Sequence, residues 1–120
     1  MMRHNAIIVY SWNKVLLNKA YEKAVSLFGK LVSPVINSSI NEYKSFFVAP
    51  DGSKEYWDES DQYNALRSML CDFIDSLAYD DGSSAVEYVD ASFGETYDGR
   101  TAEIDRHGYR EKKELVGVDE

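Results

Sequence analysis

Two stretches of the chain repeat apolar residues at the spacing of an α-helix, and runs of strand-forming residues separate them. That alternation limits the available architectures more than any other feature. From Lys14 to Leu31 the apolar positions are Leu16, Leu17, Ala20, Tyr21, Ala24, Leu27, Phe28 and Leu31. Lys14, Asn18, Lys19, Glu22, Lys23, Ser26 and Lys30 fill the other side. At about 100° per residue this is one broad apolar face, as a helix lying on a core requires. Ser11 or Asn13 can cap its start, and Gly29 with Ser33-Pro34 closes it. From Asp61 to Tyr79, a second face holds Tyr63, Leu66, Met69, Leu70, Phe73, Ile74 and Leu77. Asp61, Asn64, Ser68, Asp72, Asp75, Ser76 and Tyr79 lie opposite. Asp58, Ser60 or Asp61 can cap this helix, and Asp80-Asp81-Gly82 ends it.

The intervening runs read as strands. NAIIVYSW precedes the first helix, and its unbroken apolar centre predicts a central strand covered on both sides or nearly so. PVINSSI and YKSFFVAP flank Asn41-Glu42 as two short strands about a tight turn. The first of these is weak, because Asn37, Ser38 and Ser39 are poor strand formers. AVEYVDASF and RTAEIDR follow the second helix and flank a loop from Gly94 to Gly99. The order is β-α-β-β-α-β-β, whose first six elements match the split βαβ arrangement of ferredoxin-like domains. The expected fold is therefore α+β, with two helices on one face of an antiparallel sheet, the other face open, and an extra C-terminal edge strand. A chain of 120 residues makes one domain. We place it at residues 1–106, with 107–120 as a flexible charged tail, since RHGYREKKELVGVDE has no apolar period.

One local echo invites a chemical reading: DGSKEYWDES at 51–60 and DGSSAVEYVDAS at 81–92. The first follows a strand and the second a helix, and a third Asp-Gly, Asp98-Gly99, precedes the last strand. Asp-Gly belongs at turns, where Gly takes positive φ and the Asp side chain bonds nearby backbone. The echo is read as punctuation. A calcium loop starting at Asp51 fails, because Tyr56 stands where the loop needs glycine and Gln62 where it needs glutamate.

Other chemistries lack their residues. His4 and His107 lie near the chain ends, while acid-base catalysis needs fixed geometry. A single cysteine, Cys71, excludes an internal disulfide and points to a reducing compartment. It lies at the edge of the second helix's apolar face, where a buried thiol is expected. One Cys and two His do not make a closed zinc site. No phosphate-binding glycine loop and no serine nucleophile elbow occurs in the sequence, so no cofactor and no metal is implied. The apolar run Ala6–Tyr10 is too short for a signal-peptide core or a membrane span, so a cytoplasmic protein without membrane contact is expected.

Charge supplies the functional expectation. The net charge is −8, and residues 1–50 hold six cations against two anions, which leaves −12 for residues 51–120. Such acidity disfavours direct nucleic-acid binding and suits a basic protein partner. The acidic residues Asp72, Asp75, Asp80 and Asp81 are read onto the outer face and C-terminal end of the second helix. There they oppose its dipole, and Arg67 is that helix's only cation. Tyr56 and Trp57 lie beside Asp58 and Glu59, and Tyr79 beside Asp80, as aromatic interface anchors do. The expected function is a small acidic non-enzymatic protein-binding module, an inhibitor, adaptor or immunity-type antagonist of a basic and nucleic-acid-acting partner. Its candidate surface is Tyr56, Trp57, Asp58, Glu59, Asp72, Asp75, Tyr79, Asp80 and Asp81. The alternative is a homodimeric structural or ligand-sensing subunit that uses the open sheet face, and a small metal-assisted enzyme ranks third.

Overall fold

A computed structural model describes residues 3–53, 57–94 and 102–110. It contains β1 (Arg3–Ser11), α1 (Lys14–Phe28), β2 (Ile36–Asn37), β3 (Lys44–Val48), α2 (Asp58–Asp75), β4 (Glu87–Gly94) and β5 (Ala102–Gly108). The fold is α+β: two helices pack on a five-stranded antiparallel sheet of order β2-β3-β1-β4-β5.

Local chemistry sets each boundary. The Asn13 side chain caps α1 by accepting the Leu16 N–H at 3.0 Å. Gly29, at φ 58°, releases the chain from α1 into a short 3-10 turn, a conformation that needs no Cβ. Weak β2 spans only two residues, and the Ser38 N–H bonded to the Tyr43 carbonyl at 2.8 Å closes the turn containing Asn41 and Glu42. Helix α2 starts and stops about three residues earlier than its apolar period implies. Asp58, Glu59 and Asp61 fill its first turn, where the dipole favours them. At the other end the Ser76 hydroxyl bonds the Phe73 carbonyl at 2.5 Å, and the last turn tightens. Leu77 prolongs the apolar period without prolonging the helix. It reaches the core from the turn, where its carbonyl accepts the Ala85 N–H at 3.0 Å.

The core lies between the helices and one face of the sheet. Ile7 and Val9 of β1, Phe46 and Val48 of β3, and Tyr88 of β4 meet Leu17, Ala20, Ala24 and Phe28 of α1 and Leu70, Cys71 and Ile74 of α2. Tyr21 stands edge-on to Phe46 at 5.4 Å, and Phe28 stacks on Tyr63 at 6.2 Å. As the pairing order requires, β1 is the central strand. Its expected cover on both sides does not exist within the described residues, however. Ile7 and Val9 are sealed while Ile8, between them, is 51% exposed.

The last strand runs beyond the expected domain boundary. His107 and Gly108 belong to β5, and beyond it the Arg110 carbonyl accepts the Ser84 N–H at 3.0 Å while the Arg110 N–H donates to the Ser84 hydroxyl at 2.9 Å. Gly108 is buried opposite Tyr88, and a Cβ there would overlap the tyrosine ring. Residues 111–120 of the expected tail lie outside the described residues. Among those described, no helix is long and apolar enough to cross a membrane.

Candidate functional site

Two surfaces compete for a role: the acidic outer side of α2 and the uncovered face of the sheet. The first is knitted into the fold more tightly than its sequence implies. A β-bulge between Asp90 and Ala91 lets Asp105 and Arg106 both serve the helix side of β5. Arg106 reaches Asp72 and Asp75 of α2 through Nη2, at 2.7 Å each, and lies 5.9 Å over the Tyr88 ring. These two carboxylates raise the guanidinium's proton affinity still further. The Tyr88 hydroxyl donates to Asp75 at 3.1 Å, and Arg110 donates to the Asp75 backbone carbonyl. Hence the cation absent from the end of α2 comes from β5.

Beside this pair lies a second polar cluster beneath α2. Asn5 Nδ2 donates to Asp90 at 3.0 Å and to Asp105 at 2.9 Å, and Ser92 donates to Asp105 at 3.2 Å. Burial pushes the Asp90 carboxyl above its ordinary range, against the opposing pull of the Asn5 hydrogen bond and the Arg67 charge. Arg67 is itself buried and bonds Asn64. Sequence reasoning missed Asn5, Asp90, Asp105, Arg106 and Tyr88, since only the sheet pairing brings them together.

The nine sequence-chosen residues do not form one patch. Tyr56 lies outside the described residues. Trp57 occupies the N-cap position of α2, half exposed, with exposed Asp58 and Glu59 in the turn after it. Asp72 and Asp75 lie in the last turn of α2, roughly 20–25 Å away at 1.5 Å per residue. Tyr79, Asp80 and Asp81 lie past the end of the helix, in the turn before β4. The dipole conflict inferred for Asp80 and Asp81 therefore does not arise, because the effect fades beyond the last turn. Tyr79 is half buried, and its hydroxyl accepts from Asn13 Nδ2 at 3.1 Å, which ties it to the start of α1. Asp81 accepts the backbone N–H of Ser83 at 2.9 Å and its hydroxyl at 2.6 Å, with Gly82 at φ 87°. Asp51 and Ser53 repeat the side-chain half of that device, the Ser53 hydroxyl donating to Asp51 at 2.5 Å across Gly52 at φ 84°. The echoed motif thus recurs as an Asp–Ser bond spanning a positive-φ glycine.

The uncovered sheet face has the opposite character. Ile8 of β1 pairs with Phe47 of β3 on one side and Val89 of β4 on the other. Ala91 pairs with Ala6 and with Ile104 of β5, and Phe93 with His4 and Ala102. Ile36, at the β2 edge, is 55% exposed, Phe47 43%, Ile104 60% and Phe93 37%, so large apolar side chains meet solvent from one edge of the sheet to the other. Strand β4 is inverted relative to an ordinary half-buried strand. It turns Asp90 and Ser92 toward the helices and Val89, Ala91 and Phe93 outward. Among the described residues of this face the one carboxylate is Glu87, which accepts the Tyr10 hydroxyl at 2.8 Å. Burial, then that bond, pushes the Tyr10 hydroxyl up to about 12.

Elsewhere, a groove of about 690 Å³ along the start of α1 is lined by Lys14, Lys19 and Lys44 with Val15, Leu17 and Val35. Burial pushes the Cys71 thiol up to about 12, so it stays protonated and inert near neutral pH. Among the described residues, no three of His, Cys, Asp and Glu converge as metal ligands. No family model matches this chain, and no curated protein and no solved structure matches it either.

Proposed function

We propose that the chain is a non-enzymatic protein-binding module whose interface is the uncovered sheet face. The observation that carries this reading is the row of exposed apolar side chains, Ile36, Phe47, Ile8, Phe93 and Ile104, on a sheet with helices on one side only. Large contiguous apolar surface is unusual on a monomer and marks association sites. The acidic side of α2 is weaker as an interface, because Asp72 and Asp75 already have Arg106. What still favours a basic partner there is the half-exposed Trp57 beside exposed Asp58 and Glu59.

We also propose the ferredoxin-like topology for this domain. Its support is the interleaving of the two β-α-β units. β3 lies between β1 and β2, β1 lies between β3 and β4, and β5 adds an outer edge. In that architecture the open face is the common place for added function.

Charge reversal on each surface separates the two interface readings. Ile8→Lys should abolish binding of a native partner, whereas Glu59→Lys and Asp80→Lys should leave it within about twofold, as rim charges do. Loss of binding in the acidic variants alone, with Ile8→Lys unaffected, would move the interface to α2.

A further inference from the structure

We infer that the partner covering this face is a second copy of the same chain, packed sheet on sheet about a two-fold axis; this rests on the open-face reading above. Three observations select that occupant. First, the face carries little of the chain's charge. The net charge is −8, yet Glu87 is the one carboxylate among the described residues there, and it is hydrogen-bonded to Tyr10. A basic partner would gain nothing from such a surface, while a second copy would present the same near-neutral apolar surface in return.

Second, the geometry keeps the remaining charge apart. Stacking the two sheets about 10 Å apart sends both helix layers outward, with the acidic sides of α2 roughly 30 Å from each other. That is several times the screening length of about 8 Å at physiological salt, so the −8 of each copy opposes pairing only weakly. Third, the size is right. The five strands hold 31 residues, which at about 3.3 Å rise and about 4.8 Å strand spacing give a face of roughly 500 Å² in projection. Its accessible area, swollen by protruding side chains, approaches the 800 Å² or so that each partner gives a stable complex.

A two-fold axis also explains the sequence of β1. The run Ile7-Ile8-Val9 is that of a strand covered on both sides, and the helices cover only one. In the pair, Ile8 enters a second core between the sheets. Each sheet turned on its copy packs at the usual angle of about 30° and forms a ten-stranded sandwich flanked by four helices.

Sedimentation equilibrium of the full chain, from low to high micromolar concentration and at two salt concentrations, tests this. The inference expects a reversible dimer whose association is unchanged or strengthened by salt. Ile8→Lys and Phe47→Lys should each weaken it by ~100-fold, as loss of a central apolar contact does, with the circular dichroism spectrum preserved and the melting temperature lowered only by the lost association. Val15→Lys, on the exposed side of α1, should remain dimeric. A monomer at every concentration would overturn the inference, as would a dimer that Ile8→Lys leaves intact or that salt dissociates. If the chain is monomeric but Ile8→Lys still abolishes binding to a different protein, the second copy is wrong while the open-face reading survives. If Ile8→Lys affects neither, both fail.

Discussion

Replacing Asp75 by Asn removes the charge that Arg106 grips from below α2 while preserving an acceptor for the Tyr88 hydroxyl. Hydrogen bonds to charged groups contribute about 1.5–3 kcal/mol, and the Asp75 side chain is one-third exposed, so solvent screening reduces that figure. Relief of the unfavourable dipole contact in the last turn returns about 0.3–1 kcal/mol. The net cost should be about 1 kcal/mol, or roughly 3–6 °C in melting temperature for a domain of this size. Asp72 bonds the same arginine with its side chain 70% exposed, so Asp72→Asn should be near neutral, the two small terms cancelling. Asp80→Asn should stay within about 0.5 kcal/mol. Urea unfolding of the three variants, repeated in an Arg106→Ala background, isolates the pair terms. Coupling should be largest for Asp75, smaller for Asp72 and absent for Asp80. If Asp75→Asn stabilises the protein, or couples no more to Arg106 than Asp80 does, the β5 arginine does not hold the end of α2.

Gly108→Ala should cost about 1–3 kcal/mol in a urea melt, since its Cβ would drive into the Tyr88 ring that Asp75 holds in place; a neutral result would remove β5 from that contact. Cys71 should resist thiol reagents in the folded protein and react only on unfolding, because it is buried with its thiol pushed up to about 12; rapid native labelling would show that α2 opens. Asp90 gives a pH test. Its folded-state value is raised, so the folded protein favours the protonated form, and that contribution to stability is full below about pH 4 and lost as pH rises through the raised value. Asp90→Asn removes the titration, so the melting temperature of the variant relative to the parent should climb between pH 3.5 and pH 7. A relative fall over that range would mean that the charged carboxylate, paired with Arg67, stabilises the fold.

The parts of the fold legible in the sequence are those set by local periodicity. The apolar face of α1 and its Asn13 cap need only neighbouring residues to define them. The end of α2 was not legible, because Leu77 continues the apolar period from a turn and nothing local distinguishes the two settings. The acidic end of α2 lacks a cation when read along the helix. Its partner, Arg106, is 31 residues from Asp75 in sequence, and only the β4–β5 bulge directs it there. The open face left a trace in the run Ile7-Ile8-Val9, which implies two covers where the fold supplies one. A second trace lies in β4, whose odd positions Val89, Ala91 and Phe93 are apolar while Asp90 and Ser92 alternate with them. Which set faces the helices depends on register with β1, and register follows from pairing across the sheet.

The six isoleucines test the central claim most directly. Ile8, Ile36 and Ile104 stand exposed on the open face, Ile7 and Ile74 are sealed in the core, and Ile40 is exposed in the turn after β2. Methyl nuclear magnetic resonance spectra of the isoleucine-labelled chain, recorded across a concentration series, should show the Ile8, Ile36 and Ile104 signals moving together along one binding curve. Ile74 and Ile40 should hold their positions. Movement of Ile40 without Ile8, or a concentration series that shifts no open-face methyl, would contradict the pairing of two copies through that face.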